Sequence, residues 1–178
     1  MKWLGYVLAL LAIVGAGLMA YGYWYASTHG ALSIFVMDVS DPQRTHPLVP
    51  VELTFRDAAG TVLATAAGID PSGGTFLTSP PEYACHAAEE RAAVNAAARP
   101  EWDRCFEDQS RWVSTWIRKA ASIDVRTPQC SMEKLPVSLA EYSDWWSWWV
   151  PLRHVGGNPN TLYSVSLRID GAACQPRG

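Results

Sequence analysis

Charge is absent from most of the N-terminal segment: no Asp, Glu, Lys or Arg occurs between Trp3 and Tyr25. At 1.5 Å per residue, a helix over residues 3–25 is roughly 34 Å long, which is enough to cross the hydrocarbon layer of a bilayer. The sequence therefore predicts a transmembrane helix there. The residues that follow suffice for one domain with its own core, which we expect over residues 31–178.

A cleaved signal sequence is the alternative interpretation of this segment. Lys2 supplies a basic start, and Ala20-Tyr21-Gly22 has the small residues of a cleavage site. The apolar run is longer than a usual signal-sequence core, which favours retention. No cysteine lies near its end, which argues against a lipoprotein anchor.

Basic residues beside the segment are limited to Lys2, on its N-terminal side. The positive-inside rule then places residues 1–2 in the cytoplasm and the chain from about residue 26 onward outside, in the periplasm of a bacterium. Residues 26–30 would form a short linker that reaches about 17 Å when extended, so the outer domain should lie against the bilayer or a complex within it. Aromatic residues mark both expected water interfaces: Trp3, Tyr6, Tyr21, Tyr23, Trp24 and Tyr25.

Small residues recur along the same segment and would share one face of the helix. They are Gly5, Ala9, Ala12, Ala16 and Ala20. Such a face lets a second helix backbone approach closely in lipid, although Ala and Gly are also common in membrane helices without such a contact. A single-span chain has no second helix of its own, so we expect the partner helix to belong to another integral-membrane protein subunit.

Long basic tracts and catalytic signatures are missing as well. The formal net charge is −3, and no basic run suggests a nucleic-acid partner. Gly-x-Ser-x-Gly, His-Glu-x-x-His and phosphate-binding glycine loops do not occur. His86 and Glu90 stand four residues apart on a predicted helix, where a surface ion pair is the simpler interpretation than acid–base machinery. We expect no enzyme, no cofactor and no bound metal.

Cysteine is scarce, and all of it follows the apolar segment: Cys85, Cys105, Cys130 and Cys174. No C-x-x-C pair exists, and spacings of 20, 25 and 44 residues match no common zinc module. An even number of cysteines outside the cytoplasm predicts two disulfides.

Alternating apolar and polar residues predict strands over 49–56, 61–67 and 163–169, with shorter candidates at 75–78 and 122–126. Residues 31–39 are apolar on both faces and fit a central strand. Turn residues at 57–60 and 70–74 indicate hairpin links. The pattern favours a mainly-β domain and is similar to an immunoglobulin-like or transthyretin-like antiparallel β-sandwich, a likeness of fold that implies no function.

A helical insertion over about 80–121 interrupts the strands. Ser79-Pro80-Pro81-Glu82 has the pattern of a capping box, an Ala-rich run continues to Ala98, and a second helix follows from about Glu101.

This insertion constrains the disulfides. In an antiparallel hairpin of two straight helices, Cys85 and Cys105 lie roughly 20 Å apart, whereas a disulfide needs Cα atoms within about 7 Å. A bond between them requires the Ala-rich run to bend or unwind. Otherwise Cys85 pairs with Cys130 or Cys174.

Tryptophan is concentrated at 145–149, and a capping-box pattern at 138–141 with Pro151 beyond predicts a helix over about 139–149. Its candidate surface for a partner or for lipid consists of Tyr142, Trp145, Trp146, Trp148 and Trp149. Three interpretations stay open: the rings complete the core, they dock on a subunit or on lipid headgroups, or they stack on a sugar.

These features predict a non-catalytic, single-pass accessory subunit that stabilises a multi-subunit assembly of the bacterial inner membrane, of respiratory or photosynthetic kind. The alternative is a membrane-tethered periplasmic binding module for a glycan or another envelope ligand.

Overall fold

The computed structural model describes residues 2–38, 51–68, 75–128, 130–143, 161–169 and 175–176. Their helices are α1 (Lys2–Thr28), α2 (His86–Val94) and α3 (Arg99–Trp116). Their strands are β1 (Gly30–Asp38), β2 (Val51–Arg56), β3 (Val62–Gly68), β4 (Thr75–Ser79), β5 (Ser122–Arg126), β6 (Cys130–Pro136), β7 (Leu139–Ser143), β8 (Thr161–Ile169) and β9 (Gln175–Pro176). Short 3-10 turns occupy Pro81–Tyr83, Ala96–Ala98 and Ile117–Lys119.

The strands form two sheets. The larger sheet has the order β4-β3-β2-β5-β6-β9 and is antiparallel throughout, with Leu53 of β2 between Ala66 and Val125. The smaller sheet has the order β1-β8-β7, in which β1 and β8 are parallel and β7 and β8 antiparallel.

One apolar core joins both sheets and α3. Strand β2 buries every second residue, and its Phe55 meets the Trp116 ring edge-on at 5.3 Å between centroids. Side chains from β8, among them Tyr163 and Val165, belong to the same cluster as Ile117 at the end of α3. Burial of each large side chain stabilises the fold by about 1.5–3 kcal/mol relative to exposure.

The main elements of the prediction are confirmed: an apolar N-terminal helix, a mainly-β domain, and a helical insertion. Strands β2 (from Val51), β3, β4, β5 and β8 lie within about two residues of their predicted bounds. The turn at 57–60 is fixed by the Asp57 carboxylate, which accepts from the backbone N–H groups of Ala59 and Thr61, and by Gly60 at φ 85°.

Strand β1 departs from the prediction in two ways. It runs parallel to β8 over nine residue pairs, so the smaller sheet is not purely antiparallel. More than a hundred residues separate the two strands in sequence, so no hairpin forces them antiparallel. Within the described chain β1 pairs with β8 alone and is therefore an edge strand rather than a central one; its Phe35 is 46% exposed.

The predicted linker over residues 26–30 is wrong. Helix α1 continues through Thr28 and β1 begins at Gly30, which leaves His29 as the only residue between them. The backbone N–H of His29 still donates to the Tyr25 carbonyl, and the hydroxyls of Ser27 and Thr28 donate to the Trp24 carbonyl. The end of the apolar run therefore does not mark the end of the helix, whose backbone hydrogen bonding continues to His29.

The predicted helix over 139–149 is wrong for the part that the structure describes. Residues 139–143 form β7, where Leu139 pairs with Val165 and Ser143 with Thr161. Pairing with the central strand β8 outweighs the local capping-box pattern. Residues 144–149, including Trp145, Trp146, Trp148 and Trp149, lie outside the described residues. Strand β6, just ahead of β7, was not predicted.

The Ala-rich helix of the insertion is not continuous. The predicted capping box instead ends β4 and leads into a 3-10 turn, and α2 starts only at His86. Asn95 ends α2 with extended backbone (φ −141°, ψ 106°), and its side chain accepts from the Ala97 N–H. This break turns the chain so that the Cα atoms of Cys85 and Cys105 lie 5.7 Å apart and a disulfide joins them.

Candidate functional site

The surface of α1 is almost wholly exposed. The stretch Trp3–Thr28 is long and apolar enough to cross a membrane, and none of its most apolar 18-residue window is buried in the molecule. The predicted packing residues share one open face of this continuous helix: Gly5, Ala9, Ala12, Ala16 and Ala20. A Cβ added at Gly5 would meet nothing within 4 Å. No other part of the described chain covers this face.

The predicted interface aromatics divide into two groups. Trp3 and Tyr6 at one end, and Tyr21, Tyr23 and Trp24 at the other, are more than half exposed. Tyr25 is buried, because the last turn of α1 enters the outer domain, and its ring stacks on His29 at 3.8 Å with 3° between the planes. Tyr25 therefore packs at the junction rather than in a lipid-facing belt.

Three hydrogen bonds tie the end of α1 to the domain. The Thr161 hydroxyl donates to the Ala26 carbonyl at 2.6 Å, and the Thr161 N–H donates to the His29 carbonyl at 3.1 Å. The Ser114 hydroxyl lies 2.7 Å from the Thr28 carbonyl and equally far from that of Arg111, so it shares its proton between them. The orphan carbonyls of the helix end thus find partners on α3 and β8.

A close approach also marks this junction. A Cβ on Gly30, the first residue of β1, would overlap the ring of Tyr163. Only glycine allows β1 to start this close to β8 directly after the helix.

His29 is the buried titratable group at the junction, with 1% of its surface exposed. Burial lowers the pKa of its imidazole, while the hydrogen bond between Nδ1 and the Tyr25 carbonyl (3.1 Å) opposes that shift. The Nε2 atom is buried without a hydrogen-bond partner among the described residues. The ring is therefore held neutral, with its proton on Nδ1.

The Cys85–Cys105 disulfide joins the start of α2 to the second turn of α3 and confirms one of the two predicted disulfides. Cys130 begins β6, but its side chain and Cys174 lie outside the described part. Cys174 directly precedes β9, whose Gln175 pairs with Ser131 of β6. A Cys130–Cys174 disulfide stays a prediction.

A cavity of about 180 Å³ lies between the edges of the two sheets and the helical insertion. We name it the insertion cavity. Strands β1 and β4 form one wall, and α2 and α3 form the other. Its lining is Leu32, Ile34, Thr75, Phe76, Leu77, Cys85, His86, Glu89, Trp102, Phe106 and Gln109.

A more open groove runs along the other side of α3. Tyr83 and Trp112 stack there with centroids 4.7 Å apart and 10° between planes. The carboxylates of Glu82 and Asp108 and the guanidinium of Arg111 flank the aromatic pair. We name it the α3 groove.

The predicted His86–Glu90 surface pair is confirmed, with Nε2 3.3 Å from the carboxylate. Among the described residues, no cluster of three or more His, Cys, Asp or Glu side chains is placed to hold a metal ion.

One charged cluster was not predicted from the sequence, because its members come from three elements that are distant along the chain. Arg118 donates to both carboxylate oxygens of Glu141 on β7 and lies 5.5 Å from the centre of the Tyr163 ring. The hydrogen bond from Arg118 lowers the pKa of Glu141, and burial raises the pKa of Tyr163. The cluster ties β7 to the end of α3. Tyr142 on the same strand is 63% exposed, and its role in a partner surface stays a prediction.

No protein-family model matches this chain, and neither a curated protein nor a solved structure does.

Proposed function

We propose that this protein is a non-catalytic, single-pass accessory subunit of a multi-subunit bacterial inner-membrane assembly, of respiratory or photosynthetic kind. Its N-terminus lies in the cytoplasm, and its disulfide-bonded domain, a sandwich of immunoglobulin-like or transthyretin-like type, lies in the periplasm. The observation that carries this proposal is the direct, hydrogen-bonded junction between an uncovered apolar helix and the folded domain.

The junction matters because a simple tether has no need of it. A binding domain that searches for a ligand is served by a flexible linker. Here only His29 separates helix from strand, and Thr161 and Ser114 hold the helix end. A partner that grips α1 in the bilayer therefore also sets the orientation of the outer domain, as a subunit that braces a complex requires.

The length of α1 supports a position of the domain at the membrane surface. The 26 residues Trp3–Thr28 span roughly 39 Å as a helix, which exceeds a hydrocarbon layer of about 30 Å by a few ångströms at each end. Lys2 on one side, and a disulfide on the other, support an inward N-terminus and an oxidising outer compartment.

The small-residue face supplies the contact with a partner helix. Packing of backbones in lipid depends on the absence of bulky side chains at the contact. We expect Ala12→Leu with Ala16→Leu to separate the protein from its companions when membranes are extracted in mild detergent. Gly17→Leu adds one such side chain about 100° around the helix from Ala16, outside the predicted face. It is the control and should leave the complex intact.

Two outcomes would reject the proposal. The wild-type chain could leave the membrane as a monomer without stoichiometric companions, or the control could disrupt the complex as strongly as the double variant.

A second function, a membrane-tethered module for an envelope glycan, is favoured by the α3 groove. Stacked aromatic rings with two carboxylates and a guanidinium at their edge can pack on a sugar ring and hydrogen-bond its hydroxyls. On this hypothesis Asp108→Ala weakens the binding of envelope glycan fragments to the full chain. Asp103→Ala, an exposed change on α3 beside Arg99, should not. Equal effects of the two changes would reject it.

A further inference from the structure

We propose that one end of the smaller sheet rests on the phospholipid headgroups of the bilayer, through the exposed side chains of Leu162 on β8 and Tyr142 on β7. We name the surface of these two residues and the neighbouring Ala31 the headgroup face. This contact rests on the proposed function, in which α1 crosses the membrane, and gives the outer domain a lipid surface of its own.

The headgroup face is the outer side of the smaller sheet at the start of β1. Ala31 pairs with Leu162, and Leu162 pairs with Tyr142, so the three side chains lie on one side of the sheet. The residues that alternate with them, such as Tyr163, face the core. Leu162 is 41% exposed and Tyr142 63% exposed, which leaves an apolar surface open on the domain.

This face lies beside the end of α1. Ala31 follows Thr28 by three residues, so its Cα is at most about 11 Å from the end of the helix. Neighbouring strands are about 4.8 Å apart, which places Leu162 next to Ala31 and Tyr142 about 10 Å from it. The register of the sheet therefore brings both exposed side chains close to the point where the chain leaves the membrane.

The end of α1 lies within the headgroup layer when the helix is centred in a bilayer. Trp3–Thr28 is roughly 39 Å long, and headgroups add roughly 5–8 Å on each side of a hydrocarbon core of about 30 Å. The exposed rings of Tyr21, Tyr23 and Trp24 mark this level, as is typical of membrane–water interfaces. Strand β1, which begins after one further residue, starts at the outer boundary of the same layer.

The outer side of the smaller sheet carries no charge from Ala31 to Phe35 and on the strands beside them. Its remaining residues there are Ser33, Ala140, Ser164 and Ser166. The nearest ion pair of this sheet, Arg118 with Glu141, lies on the core side, since Glu141 pairs with Tyr163. An uncharged face that ends in a tyrosine and a leucine suits the boundary between headgroups and water, because no charged side chain is desolvated there.

The tryptophan-rich part of the sequence is attached at the same place. Ser143 and Thr161, which flank residues 144–160, pair with each other, and Thr161 pairs with Gly30. Four tryptophans follow Ser143 within six residues of the sequence. Tryptophan is enriched where protein meets the bilayer interface, which supports lipid as the neighbour of this end of the sheet.

Nitroxide labels on single added cysteines test the position of the face. The purified full-length chain is placed in vesicles of phosphatidylethanolamine and phosphatidylglycerol, without any other protein. Collisions of the label with oxygen report contact with lipid, and collisions with a water-soluble nickel chelate report contact with water. The unaltered chain, treated with the same reagent, corrects for label on native cysteines.

Four variants carry the label. Tyr142→Cys and Leu162→Cys lie in the headgroup face, and Leu10→Cys lies on the exposed body of α1. Phe35→Cys is the matched control, because Phe35 is exposed on the same side of the sheet but about 13 Å farther along β1 than Ala31. We expect both labels in the headgroup face to lose most of their collisions with the nickel chelate relative to the control, and to collide with oxygen more often.

Equal access of the nickel chelate to the Tyr142→Cys, Leu162→Cys and Phe35→Cys labels, with the Leu10→Cys label in lipid, would overturn the inference and leave the transmembrane span intact. Low access of both relaxants to the headgroup face would also overturn it, because protein rather than lipid would then cover the face. A Leu10→Cys label in water would reject the span and with it both proposals. No companion subunit is present in these vesicles, so co-purification from native membranes tests the accessory role separately.

Discussion

Helices α1 and α3 both carry many apolar residues, but their surroundings are opposite. In α3 the apolar residues lie on one face, where Val113 and Trp116 are buried against the sheets, and the charged residues face away. In α1 the apolar residues lie on every side, and none in its most apolar window is buried. The chain itself covers the apolar face of α3, whereas the described residues leave that of α1 open; on the proposed function, lipid and another chain cover it.

The C-terminal ends of the two helices, in contrast, have similar surroundings. The end of α3 enters the core through Ile117, and that of α1 enters the domain through Tyr25 and His29. Because the end of α1 is packed into the domain, a protein that binds the exposed part of this helix would also fix the position of the domain.

The largest expected effect is in the core face of α3. Trp116→Ala removes a ring that packs on Phe55 and Trp112 and should lower the free energy of unfolding of the domain by about 3–5 kcal/mol. Leu10→Ala on α1, where the side chain is 62% exposed, should change it by less than about 0.5 kcal/mol. Urea denaturation of the full chain in detergent measures both. Similar losses would show that α1 is packed on the domain.

The disulfide should come next in magnitude. Cys105→Ser opens a loop of 20 residues and should destabilise the domain by about 3 kcal/mol. Reductant should have the same effect on the wild type if the other two cysteines contribute little. Intact mass under non-reducing conditions tests the predicted second disulfide: four hydrogens are lost if it forms and two if it does not.

The junction should respond to smaller changes. Thr161→Val with Ser114→Ala removes the hydroxyls that bond the carbonyls of Ala26 and Thr28 and should weaken the junction by about 1–3 kcal/mol. Hydrogen exchange at residues 26–30 should rise by about fivefold or more while the core of the large sheet stays protected.

Thr115→Ala is the control for the junction, since the Thr115 hydroxyl bonds only the Trp112 carbonyl within α3 among the described contacts. Unchanged exchange in the double variant would mean that these bonds do not hold α1 to the domain.

The smallest expected effect is a pH dependence from His29. Burial lowers the pKa of His29 in the folded chain below its usual value of 6.5, so the unfolded state binds more protons in the window between the two values. The stabilisation is complete above about pH 6.5 and is lost as the pH falls through the folded-state pKa. Denaturation of wild type and His29→Gln from pH 7.5 to 5 should show a steeper decline for the wild type. Parallel curves would contradict the burial of a neutral imidazole.

Residue periodicity predicted the strands well where each strand buries one face. Strand β2 alternates cleanly because Leu53 and Phe55 face the core while Glu52 faces water. Strands β6 and β7 lack such alternation, and their pairing with β5 and β8 depends on residues distant in sequence. The same limit explains the wrong helix at 139–149, where a local capping pattern competed with a long-range strand pair.

The site was predictable only in part. The small-residue face of α1 follows from helical spacing alone, and its contact with a partner helix stays a prediction. The junction could not be foreseen, since Thr161 and Ser114 reach Ala26 and Thr28 from residues 135 and 86 positions away. The sequence predicted that the Ala-rich run must bend or unwind if Cys85 bonds Cys105. It did not predict that the bend lies at Asn95, because the bend depends on one side-chain hydrogen bond.

Native mass spectrometry of membranes extracted in mild detergent tests the central claim most directly. We expect the intact 178-residue chain of 19.5 kDa, less its disulfide hydrogens, in a fixed ratio with other integral-membrane proteins. A mature chain that begins near Tyr23 and occurs free of the membrane would contradict it.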